Sequence, residues 1–541
     1  MSTSLGSALV DSLMRLLPAN PKDVSDLKAV VQSLADGLER GELALSLDAD
    51  PPQGIDKDSW PELVLNSLQS NGWLVTAGDM ESNPHAPIVK DGTWLRWRRW
   101  HQHLHHCLER LLNLAESAVP NPVAAEELAA ARLLALQAGL DTRQCDAVVA
   151  LLQRRLVLLT GGPGTGKTST VVQMLAAVLR ERPGIRIQLG APTGKAAARL
   201  QQTVANGCSG LEAALSATLE ALPSGTLHRL LEAQGENRFR RNASLPLQLD
   251  LLVVDEVSMV DLPLMTAVLA ALPEHAQLLL VGDAHQLPPV GPGAILQELT
   301  KPSPLTRLGS AAVQLETTYR NNGAIAALSD QLRQGQKALS AANLRRLRPT
   351  DNVQWIECRS QSLPLPLLQK LRDHQKQLGE LAGNLGWVDG EPVASDAEAL
   401  LKALEAWVAL SPVRQGPWGV EALNRALLGE RATRPVQQWP SGTPVLNRHN
   451  RPEQGLANGD IGVVVHQHNE ARVLLPNQRV LHPAQFSGAE PAFALTVHKA
   501  QGSQYEAIAL LLPPMRHQDP RLAYTGLTRA RSQALLITPK D

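Results

Sequence analysis

The sequence predicts an α/β fold in which parallel sheets are covered by helices, with a helical segment in front and a small β-rich insert near the end. Three observations predict it. Short apolar runs at Arg155–Thr160, Ile185–Ala191, Leu249–Val254 and Leu278–Val281 each lead into a loop of Gly, Pro, Asp or Thr, the habit of parallel strands buried on both faces. Helical stretches such as Ser169–Glu181 and Leu262–Ala271 separate several of these runs, which is the alternation of a doubly wound sheet. A second α/β pattern runs from Ala397 to the end.

Residues 1–115 read as helical, with apolar side chains at helical spacing over Ala29–Leu43 and Trp94–Leu112. Pro120 and Pro122 mark Glu116–Val123 as a linker before a helical stretch, Ala124–Leu152. The first sheet domain is expected over 124–335, with a basic hairpin near 234–248 that carries Arg238, Arg240 and Arg241. The second is expected over 336–541. Within it, 455–487 alternates short β-rich runs (Ile461–His466, Arg472–Leu475, Arg479–His482) with turns, the pattern of a small barrel.

The composition narrows the class. With 541 residues, 44% hydrophobic and 19% charged, the chain is globular and too long for one core. No apolar run reaches ~18 residues, and Met1–Leu17 lacks the basic n-region of a signal peptide, so a soluble cytoplasmic protein without membrane contact is expected. Cys107, Cys145, Cys208 and Cys358 lie far apart with no C-x-x-C pair, which argues against a disulfide framework or a cysteine zinc site. A net charge of −1 gives no global basic excess, yet a local cationic groove is enough to hold nucleic acid.

The run Gly161-Gly162-Pro163-Gly164-Thr165-Gly166-Lys167-Thr168 follows a strand and opens a helix, the context that a G-x-x-x-x-G-K-T phosphate loop requires. Its amides can wrap the phosphates of ATP, Lys167 can reach the β and γ phosphates, and the Thr168 hydroxyl can ligate Mg²⁺. Asp255 and Glu256 end the third apolar run. There Asp255 can hold the metal through water and Glu256 can orient or deprotonate an attacking water. Gln286, in the proline-rich run Gly282–Gly291, is suited to sensing the γ-phosphate, although a tight structural turn explains that run equally well.

Taken in order, these residues resemble the helicase motifs of superfamily 1, specifically the RecD group of its 5′ to 3′ branch. Asp141-Thr142-Arg143-Gln144, Ala191–Ala197, Thr226–Leu231, Asp255–Met259, Gly282–Gly293, Tyr319-Arg320, Gly416–Val420, Asn458–Gly462, Leu495–Ser503 and Tyr524–Arg531 carry the resemblance. It implies two RecA-like P-loop domains, a helical N-terminal domain and an SH3-like β-barrel insert. It also implies an adenine contact for Gln144, a ribose contact near Gln504, and arginines Arg320 and Arg529 converging on the γ-phosphate. Thr193, Lys195, Thr226, His228, Thr496 and His498 would line a track for single-stranded DNA. Gln504 stands where the family usually has Glu, which weakens the ribose contact.

The resemblance further implies RecB-like and RecC-like partner subunits, with any exonuclease activity in a partner. A stand-alone helicase and a catalytically decayed DNA-binding subunit are the alternatives. Trp94, Trp97 and Trp100 among Arg96, Arg98 and Arg99 are residue types enriched at interface hot spots, so this stretch is expected to face a partner. The following His101–Cys107 cluster lacks a carboxylate or second cysteine at ligand spacing, which disfavours a metal.

Overall fold

The computed structural model describes residues 5–540 except 18, 209, 236, 318–322, 337–338, 349–350, 450, 452–453, 469, 487 and 515–518. Its N-terminal segment is mixed α/β, not helical throughout. Strands β1 (Leu45–Ser46), β2 (Leu74–Thr76), β3 (Ile88–Asp91) and β4 (Trp94–Trp97) form a sheet in the order β1-β4-β3-β2. Helices Val24–Glu39 and Glu62–Ser70 share its apolar cluster. The helix expected from Trp94 therefore begins only at Arg98, because Gly92, at φ 58°, turns the chain so that Trp94 pairs with Asp91. Four residues of strand precede the helical pattern, and their alternation is hidden by tryptophans that suit either structure.

Helix Arg98–Glu116 packs on the first parallel sheet. Its Leu104, Cys107, Leu111, Leu112 and Ala115 share one core with Leu156, Leu158, Leu252 and Val254. A boundary at 115 thus runs along a structural layer and not through a linker.

That sheet contains β5 (Leu156–Gly161), β6 (Ile187–Ala191), β7 (Ser224–Thr226), β10 (Leu251–Val254), β11 (Gln277–Gly282) and β12 (Ala312–Leu315). Its order is β12-β5-β11-β10-β6-β7, all parallel. Successive side chains alternate between two cores. Val157, Leu159, Leu251, Val253, Leu279 and Val281 pack beneath helices on one face, while Leu156, Leu158, Leu252, Val254, Leu278 and Leu280 pack on the other. Burial of both faces is why these strands read as unbroken apolar runs. β7 and β12 lack such runs and were not foreseen. β8 (Ala233–Gly235) and β9 (Arg238–Phe239) form a short antiparallel pair, and Arg240 and Arg241 follow it.

The second parallel sheet, in the order β13-β24-β23-β16-β22, uses β13 (Val353–Cys358), β16 (Trp407–Ser411), β22 (Ala494–Thr496), β23 (Tyr505–Leu511) and β24 (Ala530–Pro539). A two-stranded hairpin, β14 (Trp387–Val388) and β15 (Glu391–Pro392), stands apart from it. Helix Ala324–Arg333 supplies Ile325, Leu328 and Leu332 to this second core, so the C-terminal half starts before 336. Between β16 and β22 lie β17 (Pro444–Leu446), β18 (Ile461–Gln467), β19 (Glu470–Leu474), β20 (Val480–Leu481) and β21 (Glu490–Pro491). They form an antiparallel sheet ordered β20-β19-β18-β17-β21. It extends beyond the expected 455–487, and among the described residues no ladder joins β20 to β21 to close a barrel.

A turn contact also joins the N-terminal segment to the first parallel-sheet domain. The turn at Gly41 lies against the loop that follows β11: Gly293 donates its amide to the Gly41 carbonyl at 3.1 Å. A methyl group on Gly41 would stand 3.1 Å from the carbonyls of Pro289, Val290 and Gly291. No helix among the described residues is long and apolar enough to cross a membrane.

Candidate functional site

The carboxyl ends of the parallel strands carry the chemistry, as expected for an open α/β sheet. β5 passes into the phosphate loop, where Gly164 and Gly166 take φ 78° and 79° and helix Lys167–Glu181 begins. Lys167 Nζ donates to the carbonyls of Gly161 and Gly162 at 2.6 and 2.8 Å. Buried Thr165 donates its hydroxyl to Gly162 O at 2.9 Å. Pro163 and Thr168 stay partly accessible, Thr168 in the first turn of the helix. Burial lowers the Lys167 ammonium below the ordinary lysine range, against the opposing pull of Asp283, Glu256 and Asp255.

Asp255 and Glu256 leave β10 toward that lysine. Burial, with adjacent Glu256, pushes the Asp255 carboxyl up to about 6. A carboxyl that desolvation and an adjacent carboxylate hold back from ionising is one that a divalent cation would favour in its charged form, so Asp255 fits Mg²⁺. Glu256 adopts φ 52°, a left-handed conformation that costs a non-glycine residue on the order of 1 kcal/mol and is tolerated where function fixes the side chain.

Past β11, Gln286 is buried with its Oε1 unpaired, while its Nε2 donates to Asp283 Oδ2 at 3.3 Å. Asp283, also buried, accepts a 2.8 Å hydrogen bond from the Tyr524 hydroxyl. Its proximity raises the phenol's pKa further above a range already lifted by burial. Two more bonds cross between the halves. Leu287 donates its amide to Thr525 Oγ1 at 2.9 Å, and Gln501 Nε2 donates to Leu287 O at 3.2 Å.

Arg529 is 2% exposed. Its guanidinium donates to the Thr525 and Ser503 carbonyls at 3.0 and 3.2 Å and acts electrostatically on Lys167. Gln504 follows Ser503 and is half-buried. Gln144 closes a capping box with Asp141 and turns its Nε2 toward Thr165 O at 3.4 Å, which brings it to the phosphate loop. Arg320, with Tyr319, lies outside the described residues.

Thr193, Thr226 and Thr496 all cap turns at strand ends. Their hydroxyls accept 3.2 Å bonds from the amides of Ala196, Arg229 and Lys499. Each keeps its own O–H to donate outward. Lys195 holds its ammonium 5.2 Å from the Tyr505 ring centroid. His228 and His498 are exposed, and partial burial lowers both imidazoles below the ordinary histidine range.

The aromatic-basic stretch behaves differently from expectation. Arg96 is 3% exposed and pairs with Asp91 at 2.6 Å. Arg98 donates to the carbonyls of Ala86, Met80 and Asn83, while Trp97 and Trp100 pack against separate cores. Only Trp94 and Arg99 remain exposed; Arg96 and Arg98 find their partners, and Trp97 its packing, within the N-terminal segment, and Trp100 packs into the core of the first parallel sheet. No group of three potential metal ligands occurs among the described residues.

Sequence reasoning missed Asp283, Tyr524 and Arg333. Arg333 Nη1 stands 3.7 Å from where a methyl on Gly162 would lie. Asp283 lies in the Gly282–Gly293 stretch just past the apolar run Leu278–Val281, and a carboxylate at the carboxyl end of a buried strand is the signal that could have found it.

Residues 144–292 match the AAA domain family, and residues 491–537 match the UvrD-like helicase C-terminal domain. The RecBCD enzyme subunit RecD of Mycolicibacterium smegmatis is 35% identical over 422 residues, covering 74% of this chain and 71% of that protein. The ATP-dependent RecD2 DNA helicase of Deinococcus radiodurans is 32% identical over 415 residues, covering 73% of this chain and 48% of that one. Bacteroides Pif1 bound to single-stranded DNA aligns over 77% of this chain and 92% of its own at 18% identity, with a TM-score of 0.41.

Proposed function

The chain belongs to the RecD family of DNA helicases, and from that premise we propose that it is a 5′ to 3′ translocase on single-stranded DNA, working with RecB-like and RecC-like subunits. It is an ATP-dependent DNA helicase. The observation that carries the motor reading is the set of three polar bonds joining the loop after β11, beside the phosphate site, to Gln501, Tyr524 and Thr525 of the second half.

In this reading Gly161–Thr168 cradle the phosphates of ATP and Lys167 exchanges its loop carbonyls for phosphate oxygens. Mg²⁺, held by Thr168 and Asp255, would neutralise charge between the β and γ phosphates. Glu256 orients and deprotonates the attacking water, and Gln286 turns its unpaired Oε1 toward that water or the γ-phosphate. Arg529, together with Arg320, stabilises charge on the transferring phosphoryl group. Gln144 reads adenine, and Gln504 borders the ribose. Loss of the γ-phosphate loosens the loop after β11 and thereby the bonds to Tyr524, Thr525 and Gln501. Thr193, Lys195 and Thr226 on one half and Thr496 with His498 on the other then change their spacing along the strand; His228 extends the first set. Each half, with helix Ala324–Arg333 in the second, acts as one RecA-like body.

Direction is tested by streptavidin displacement from end-labelled oligonucleotides. A 5′ to 3′ motor clears a 3′ block; preferential clearance of a 5′ block rejects the direction. Co-purification from native lysate with two large DNA-processing subunits supports the assembly, whereas processive unwinding by the isolated chain favours a stand-alone helicase.

A further inference from the structure

The turn Gly416–Val420 and the loop Asn458–Gly462 carry no role in the scheme above, yet both converge on one cationic cluster. Trp418 is 2% exposed and donates its indole N–H to Ser362 O at 2.9 Å. Gly419 donates to Gly416 O, while Val420 and Glu421 donate to the carbonyls of Val413 and Arg414 at 3.2 and 3.0 Å. A methyl on Gly419 would meet Arg414 O at 2.6 Å, so the turn is closed tightly around Arg414. This residue lies just past the carboxyl end of β16.

Arg414 Nη2 reaches Glu490 Oε1 at 2.6 Å, and its Nε lies 3.7 Å from Glu421. Arg448 Nη1 reaches the same Glu490 oxygen at 3.1 Å. Lys499 Nζ donates to Asn458 Oδ1 at 2.8 Å. Burial lowers its ammonium, and Arg448 and Arg414 lower it further against the pull of Glu490, which places all four groups in one neighbourhood. Three cations thus face two carboxylates. Both arginines are nearly half exposed, at 48% and 45% of their side chains. By sharing one carboxylate oxygen they leave several of their N–H donors available.

The cluster is continuous with the expected track. The Lys499 amide caps onto Thr496 Oγ1 at 3.2 Å. On the other side, Ala457 Cβ would stand 2.8 Å from a methyl on Gly194, between Thr193 and Lys195, and Lys195 acts electrostatically on Asp460. A path of polar and cationic groups therefore runs from the first half, across the loop of the insert, to Lys499, Arg448 and Arg414.

We propose that Arg414, Arg448 and Lys499 form a phosphate-binding station for the single-stranded DNA backbone, extending the track from Thr496 onto the antiparallel insert. The station rests on the helicase reading and adds Arg414 and Arg448, which lie outside the helicase motifs, to Lys499 of the Leu495–Ser503 motif. Glu490 holds the guanidiniums in place and competes with phosphate for them, which suits a site that must release its ligand at each step.

The test is the salt dependence of binding to a fluorescent oligo-dT, measured by anisotropy on the full chain. Each phosphate contact to a single strand contributes about 0.7 to the slope of log K against log salt, so R414Q/R448Q should flatten the slope by about 1.4. E490Q should tighten binding severalfold. An unchanged slope in the double variant, or weaker binding by E490Q, overturns the station. If the double variant fails to fold by thermal melting, R448Q alone carries the test, with a loss of about 0.7 expected. A wild-type chain without salt-dependent binding would instead reject the helicase reading itself.

Discussion

The hydroxyl of Tyr524 donates a 2.8 Å hydrogen bond to Asp283 Oδ2 across a sequence separation of 241 residues. Both partners are buried, and Asp283 acts on Lys167 of the phosphate loop. A buried hydrogen bond to a charged group is worth about 1.5–3 kcal/mol, enough to couple two bodies. Tyr524→Phe should therefore lower DNA-stimulated ATP turnover by roughly tenfold or more while nucleotide affinity changes little. Equal loss in stimulated and unstimulated turnover would show that the bond serves the local site and not the coupling.

Glu256→Gln should retain ATP and Mg²⁺ binding yet reduce hydrolysis by roughly 10²–10⁴-fold, the usual contribution of a positioned general base. Lys167→Ala should abolish hydrolysis. Single-turnover measurements separate binding from chemistry, and a Glu256→Gln chain with normal turnover would remove the base assignment.

The N-terminal segment should not be separable at residue 115. Removing helix Arg98–Glu116 uncovers Leu156, Leu158, Leu252 and Val254 on one face of the first sheet, so the truncated motor should aggregate or lose cooperative unfolding. Leu111→Ala in the intact chain should cost about 2–5 kcal/mol. A soluble, fully active chain that begins at residue 117 would contradict this packing.

His374 gives a pH signature. It is 7% exposed, packs edge-on to Trp407 at 5.7 Å, and burial depresses its pKa from 6.5 to about 4. The folded state disfavours the imidazolium, so the contribution is complete above pH 6.5 and is lost as pH falls toward 4, about 3 kcal/mol in all. Urea midpoints compared at pH 7.5 and 5 should show the loss, and His374→Phe should remove that part of it. An unchanged pH dependence in the variant would assign the loss to other groups.

The phosphate loop and Asp255-Glu256 were legible because their chemistry is local: a few residues at a strand end fix the geometry. The strands β5, β6, β10 and β11 were legible for the same reason, since burial on both faces writes an apolar run into the sequence. Asp283 with Tyr524, and Arg414 with Glu490, were not. Their partners meet only after two sheets have formed, and a tyrosine or arginine looks the same in sequence whether it faces solvent or another residue. Arg96 and Arg98 misled in the opposite sense, because arginines that satisfy buried carbonyls and Asp91 have the composition of an interface hot spot.

Gly41 touches the same loop that carries Gln286 and Leu287. One short segment therefore answers both to the N-terminal sheet and to the nucleotide, and linkage makes that relation reciprocal. Any protein that grips the N-terminal segment more firmly in one nucleotide state must shift the affinity for that nucleotide by the same free energy. Each ATP consumed would then tug on the grip, and each tightening of the grip would reset how readily the next ATP binds.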